Sequence, residues 1–249
     1  MQISGKAAVV SGGASGIGKA TATELASRGA RVVVADMDEA QGMAVVEAIK
    51  AAGGDAVFQR CDVTKTGDLA ATFAGCQSAF GRFDIAFNNA GIAGEDIFEP
   101  DGTNWQRVLD IDLRAVMDAT RQEVMLMRES GGGVIVNTAS MGALVPMPDS
   151  PTYATAKAGV VHFTRSLAGL QAQWNIRVNA ICPTFTDTPL VRRSGDERLE
   201  ELKAMVGGIL QPEDVAAGVV ELIEDDSRAG AIMRVTVRGG RDYARDLRP

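Results

Sequence analysis

Seven short runs of β-branched and small apolar residues recur along the chain, with helix-like segments between them. They are KAAVVS (6–11), RVVVAD (31–36), AVFQR (56–60), FDIAFNN (83–89), GVIVNTAS (133–140), IRVNAIC (176–182) and IMRVTV (232–237). Most are nearly continuous in apolar residues rather than alternating, the pattern of a strand covered on both faces. The intervening GIGKATATELASRG and DEAQGMAVVEAIKAAGG read as helices, the second stopping at Gly53-Gly54. Strands alternating with helices imply a parallel sheet with right-handed crossovers. The expected fold is α/β, a doubly wound sheet of about seven parallel strands with helices on both faces.

Nothing in the sequence divides this pattern. There is no Pro/Ser-rich linker and no repeat, so residues 1–249 are expected to form a single domain. The longest stretch without a strand before the last one is 183–231, with a helix at about 212–225. No run of eighteen apolar residues occurs, so no membrane span is expected. MQISGKAAVVSGG has no basic stretch followed by an apolar core, so no signal peptide is read. A net charge of -7 argues against a nucleic-acid partner, which would need a basic face. The three cysteines, Cys61, Cys76 and Cys182, have no CxxC spacing and read as reduced, mostly buried thiols of a cytoplasmic protein. No metal site is expected. The one histidine, His162, follows two valines and reads as a packed residue rather than a catalytic one.

SGGASGIGKA (11–20) joins the first strand to the first helix. Glycines at 12, 16 and 18 let backbone N–H groups approach a pyrophosphate, and the helix N-terminus favours an anion. A glycine-rich turn between strand and helix is what a dinucleotide site requires, so the sheet is expected to be Rossmann-type. Asp36 ends the second strand eighteen residues after Gly18. A carboxylate there accepts from both adenosine ribose hydroxyls and repels a 2′-phosphate, which points to NAD rather than NADP. The competing reading of Asp36 is a helix N-cap for DEAQGM.

SPTYATAKAG (150–159) places Tyr153 four residues before Lys157, on one helix face. A phenol has a pKa of about 10, and acting as a base near neutrality requires a drop of roughly two to three units. An ammonium about 4 Å away supplies on the order of 4 kcal/mol at an effective dielectric of 20, and desolvation opposes it.

The glycine spacing of TGxxxGxG (with Ser11 for Thr), NNAG at 88–91, Ser140 and YxxxK at 153–157 occur in order. Together they resemble the short-chain dehydrogenase/reductase family in its compact single-domain branch, over essentially the whole chain. Cys61-Asp62-Val63 falls where that family has an Asp-Val against the adenine ring. Arg177-Val178-Asn179 and Pro183 fall where it has RVN…PG, and VRGG (237–240) resembles its VDGG. VNTASMGALVPMP and VNAICPTF further resemble NAD-dependent alcohol dehydrogenases of the hydroxyprostaglandin type.

The resemblance implies a role for each matching residue. Tyr153 would exchange a proton with a secondary alcohol or ketone while hydride moves to or from nicotinamide. Ser140 would hold the substrate oxygen, its competing reading being a strand-end cap, and Lys157 would hold the nicotinamide ribose. The cofactor would lie against Gly12, Ser15, Gly16, Ile17, Gly18, Asp36, Asp62, Val63, Asn89, Ala90, Gly91, Tyr153, Lys157, Pro183, Thr186 and Thr188. Thr184 replaces the family's glycine after the proline, which would be strained if the backbone there needed φ > 0.

A second departure is Asp112. WQRVLDIDL carries it where the family's catalytic set has an asparagine. Ionised, it would offset part of the positive field on Tyr153 and raise the pH that oxidation needs. Protonated or turned away, it would be silent. The apolar MGALVPMP and a lid at about 185–210 suggest a medium-sized apolar alcohol or ketone. Arg192 and Arg193 would meet a substrate carboxylate or remain solvated. The resemblance also implies a homotetramer or homodimer through residues 102–128 and 153–173. Rival readings are an NADH-dependent 3-oxoacyl thioester reductase and a catalytically weak NAD-binding sensor.

Overall fold

The computed structural model describes residues 1–94 and 104–245. Among them eight strands form one sheet in the order β3-β2-β1-β4-β5-β6-β7-β8. The strands are β1 Ala7–Ser11, β2 Arg31–Asp36, β3 Asp55–Arg60, β4 Ile85–Asn88, β5 Gly133–Thr138, β6 Ile176–Pro183, β7 Ile232–Thr236 and β8 Gly240–Tyr243. The first seven pair in parallel, each at one of the seven apolar runs. The eighth was not anticipated and pairs antiparallel with β7. Its sequence, GRDY, has no apolar run to announce it. It lies at the sheet edge, fixed by a tight turn and by Arg234, whose guanidinium binds both oxygens of Asp242 at 2.7 and 2.5 Å.

The helices that frame the sheet are α1 Gly16–Ser27, α2 Glu39–Ala51, α3 Thr66–Phe80, α4 Trp105–Leu109, α5 Ala115–Glu129 and α6 Pro151–Ser166. They are followed by α7 Leu170–Trp174, α8 Pro189–Arg192, α9 Asp196–Val206 and α10 Pro212–Glu224. Alternation along β1 sorts the two faces. Ala8 and Val10 join Leu25 of α1, Val45 of α2 and Val219 of α10. Ala7 and Val9 join Phe73 of α3 and Met127 of α5. Two apolar faces on one strand make its run continuous. Strand order reverses between β1 and β4, so the crevice at the switch point collects the carboxyl ends of β1, β2, β4, β5 and β6.

Between α4 and α5, residues Asp110–Arg114 form a π-helical turn. The extra residue of a π turn changes which side chains face inward. Asp110 pairs outward with Arg114 at 2.7 Å, while Asp112 is fully buried.

A second buried carboxyl, Glu123 of α5, escaped the sequence reading. It sits with Asn88, Thr120, Asn137 and Thr164 in a network of uncharged polar groups. The Asn88 amide donates to its Oε2 at 3.0 Å, and Oε1 has no partner among the described residues. Its signal was the helical phase: Val116, Thr120, Glu123 and Met127 recur at inward spacing, all buried. His162 shows the opposite error. It is exposed, because Lys157, Val160, Val161 and Thr164 take the inward phase of α6.

Burial without a cation pushes the Glu123 carboxyl up to about 8. Its native form then holds a proton that the unfolded chain has already lost. Stability therefore falls as pH rises from the ordinary carboxyl range to about 8, and is flat above it. Glu123→Gln, which cannot ionise, should match the parent near pH 4 and exceed it by a few kcal/mol at pH 8. Denaturant unfolding across that range checks the widening gap.

Candidate active site

The first wall of the crevice is the glycine turn. Gly12 and Gly16 have φ of +62° and +50°. A Cβ on Gly18 would lie 2.0 Å from the Gly12 carbonyl oxygen, so helix and turn touch only with glycine there. Ser15 caps α1 in extended geometry without a side-chain hydrogen bond. Among the described residues no acceptor takes the amides of Ser15, Gly16, Ile17 or Gly18, which leaves a helix N-terminus open to an anion. The adjacent amides are used: Gly13 donates to the Ala35 carbonyl at 3.1 Å and Ala14 to Asp36 Oδ2 at 3.0 Å.

Asp36 is thereby fixed at the end of β2, its Oδ1 accepting from the Asp38 amide at 3.1 Å. The N-cap of α2 is Asp38, which accepts from Gln41, so the capping alternative for Asp36 is excluded. Asp62 is tied locally, accepting from the Thr64 amide and hydroxyl at 3.1 and 2.7 Å. Val63 beside it packs against the α3 side of the core.

The second wall is Asn89-Ala90-Gly91. Ser11 Oγ accepts from the amides of Asn89 and Ala90 at 3.0 and 3.3 Å. Asn89 Nδ2 donates back to the carbonyls of Ser11 and Gly12 at 3.1 and 3.2 Å. The two loops are one unit, and a Cβ on Gly12 would sit 2.9 Å from Ala90 Cα.

The third wall carries the titratable groups. Tyr153 and Lys157 share a face of α6, with the Lys157 ammonium 5.7 Å from the phenol ring centre. Lys157 is buried and donates to the Thr138 carbonyl at 3.0 Å. Its Nζ lies 3.8 Å from Asp112 Oδ1, which also accepts from the Ile92 amide at 3.0 Å. A Cβ on Gly91 would come within 2.8 Å of Asp112 Oδ1 and 3.5 Å of Lys157 Nζ. Ser140 Oγ accepts from the Gly142 amide at 3.1 Å, so it does cap the short turn after β5, as its competing reading held. That bond leaves its proton free to donate.

Burial pushes the Tyr153 phenol up; Lys157 and Ser140 pull it down, while Asp112 and Cys182 oppose them. The net direction is upward in the free protein, the reverse of what the sequence argument asked of Lys157 alone. The Cys182 thiol, buried at the end of β6, is itself pushed up to about 12 and is no nucleophile near neutrality.

Beyond Pro183, Thr186 and Thr188 are buried. Thr188 caps α8, and a Cβ on Gly16 would lie 3.0 Å from its Cγ2, so this segment closes against the glycine turn. Thr184 is not strained: among the described residues the only non-glycine with positive φ is Asn175. In the 185–210 segment Leu199 and Leu202 anchor α9. Arg198 reaches Asp149, ahead of α6, at 2.9 Å. Arg192 is held by both oxygens of Asp187 at 2.5 and 2.7 Å rather than left open for a substrate. Arg193 is exposed. Among the described residues no cluster of three His, Cys, Asp or Glu could hold a metal. A separate cavity at the amino ends of the strands is lined by Lys6, Arg82 and Arg177, but these pair with Asp84 and Asp226.

Open amides at a helix N-terminus, glycines that a Cβ would block and a fixed strand-end carboxylate together fit a dinucleotide. Comparison with known proteins agrees. The family model described as short chain dehydrogenase matches residues 6–199. The mouse (Mus musculus) 15-hydroxyprostaglandin dehydrogenase [NAD(+)] is 35% identical, covering 100% of this chain and 97% of its own. Cyclohexanol dehydrogenase of Acinetobacter sp. (strain SE19) is 38% identical over 89% of each. The crystal structure of levodione reductase superposes with a TM-score of 0.87 at 29% identity, covering 94% of this chain and 96% of its own. The chain belongs to the short chain dehydrogenase family.

Proposed function

We infer that the protein is an NAD-dependent oxidoreductase that interconverts a secondary alcohol and a ketone. One observation carries this reading: the Tyr153–Lys157 face of α6 stands across the crevice from the open amides of the glycine turn, with Ser140 at the end of β5 beside it. Sequence kinship to dehydrogenases of hydroxyprostaglandin, cyclohexanol and, in Mediterraneibacter gnavus, 3beta-hydroxysteroid supports the class of reaction. These names share a hydroxyl on an apolar skeleton, which suits the apolar Met141, Leu144 and Val145 that follow Ser140.

NAD, when bound, supplies the hydride acceptor. The amides of Ser15 to Gly18 would hold its pyrophosphate, Asp36 the adenosine ribose, and Asp62 and Val63 the adenine side. Asn89, Ala90, Gly91, Pro183, Thr186 and Thr188 would surround the nicotinamide half, with Lys157 on its ribose. Ser140 donates to the substrate oxygen and fixes its position, and Tyr153 exchanges the proton with that oxygen. The whole chain acts as one domain, with residues 185–210 as the lid over the substrate end. Three free, buried thiols suit a reducing, cytoplasmic setting. Among the described residues no helix is long and apolar enough to cross a membrane.

A homotetramer or homodimer is the assembly we favour. Leu109, Leu113, Met117 and Phe163 line an apolar groove where α4, α5 and α6 meet, rimmed by Asp110, Arg114, Asp118 and Arg121. Positions 102–103 of the assembly face expected from the sequence lie outside the described residues.

NADH absorbance should rise with NAD and a panel of apolar secondary alcohols. Tyr153→Phe should lower that rate at least about a hundredfold with NADH binding retained. No turnover across the panel, with NADH still bound, would instead favour the sensor reading. Cofactor choice tests Asp36: kcat/KM should be higher with NAD than with NADP, and Asp36→Ala should narrow that ratio by about tenfold or more. A parent enzyme that prefers NADP would refute the assignment.

A further inference from the structure

Lys157 and Asp112 are two titratable groups shut in the same place. Lys157 is 3% exposed and Asp112 0%. The ammonium has the Thr138 carbonyl at 3.0 Å, and Asp112 is the acidic group that its ion pairing reaches. A buried ammonium without a counter-ion is costly, and so is a buried carboxylate. Burial pushes the Asp112 carboxyl up, and the Lys157 ammonium beside it and the Ile92 amide pull it back toward the charged form. Asp112 is not turned away: Oδ1 faces Nζ and takes the Ile92 amide as well, while Oδ2 is buried and has no partner among the described residues.

This pair changes what Lys157 can do for Tyr153. Among the described residues, the titratable groups facing the phenol are Lys157 one turn along α6, Asp112 from the π turn and Cys182 from β6, with the Ser140 hydroxyl beside them. A lone ammonium would draw the phenol toward phenolate, but an ammonium carrying its own carboxylate presents little net charge. We propose that Asp112 is the counter-charge of Lys157, so that Tyr153 stays a proton donor through neutral pH and accepts a proton from an alcohol only in alkaline solution. Asp112 is thus a positioning residue. It acts on the phenol through the lysine and ties that lysine to the Gly91–Ile92 loop. The consequence for catalysis rests on the dehydrogenase reading; the electrostatic effect on Tyr153 does not.

The chain offers a direct measurement, because it has only two tyrosines. The other, Tyr243, is in β8, where its hydroxyl donates to Glu221 at 3.0 Å, away from the crevice. In a Tyr243→Phe background the ultraviolet absorbance of tyrosinate reports Tyr153 alone, with no substrate and no turnover. Asp112→Asn keeps an acceptor for Ile92 and removes the charge. The Tyr153 midpoint should then fall by about one pH unit or more. Ionisation in the variant at a pH where the parent stays protonated counts as that fall. An unchanged or higher midpoint overturns the proposal, since it means that Asp112 carries no charge or that its charge is not felt. Asp112→Ser, also uncharged, gives the same reading if the amide disturbs the π turn. In the active enzyme the rising limb of kcat/KM for alcohol oxidation should move down by the same amount. A merely structural Asp112 would lower the rate without moving the limb. Absence of turnover would sink the dehydrogenase reading and leave the tyrosinate titration to decide this one.

Discussion

Coverage of the sheet on both faces is the constraint from which the rest of the molecule follows. A parallel strand buried above and below leaves little room for polar side chains along its length, and those it carries, such as Asn88 and Asn137, are tied into buried hydrogen bonds. Polar chemistry is therefore displaced to the carboxyl ends, where the chain turns into a loop or a helix. Here five strands end side by side, and each delivers one part. Ser11 and Gly12 come from β1, Asp36 from β2, Asn89 to Gly91 follow β4, Ser140 follows β5, and Pro183 ends β6. The hydrogen bonds among Ser11, Asn89 and Gly12 show how tightly the ends are coupled. These bonds tie the glycine turn to the loop beside Lys157.

The parts legible in the sequence were those that a local pattern encodes. An apolar run bounded by turns marks a strand, a glycine turn between strand and helix marks an open helix N-terminus, and a four-residue spacing puts Tyr153 and Lys157 on one face. The strand β8 had no such mark, because an edge strand needs backbone partners but no apolar run. His162 was misread because neighbouring valines say little about a residue 100° further round a helix. The opposing terms on Tyr153, burial and the Asp112 charge, were legible, but which side prevails was not. That depends first on how deeply the phenol is buried, and then on Asp112, forty-one positions earlier, being brought within 3.8 Å of Lys157 by a π turn that the run WQRVLDIDL does not announce.

Ser140 and Thr188 show that a competing structural role and a functional one need not exclude each other. Ser140 accepts an amide hydrogen bond and closes a turn, yet accepting leaves its own proton available. The structural bond fixes the hydroxyl oxygen where a substrate oxygen would meet it. Thr188 likewise caps α8 and packs on Gly16, so the segment that would close over the substrate is anchored to the turn that would hold the cofactor. Capping at a strand end positions the group; it does not spend it.

Asp112 and Glu123 are two answers to the same physical problem. Both are buried carboxyls on the inward side of one nearly continuous helical stretch, eleven residues or three turns apart. Asp112 meets an ammonium, and its charge is balanced by an opposite one. Glu123 meets only amides and hydroxyls, and its charge is removed by a proton. The first arrangement places a titratable group where it alters another, next to the phenol. The second is electrically quiet at neutral pH, and beneath the cofactor loops that is an advantage: an ionised Glu123 behind Asn88 would add a negative field one residue from Asn89. The difference lies in the neighbours, Lys157 in one case and Asn88 with Asn137 in the other. Chemically similar side chains on one helix thus separate into an electrostatic partner of the reacting groups and a neutral strut under the sheet.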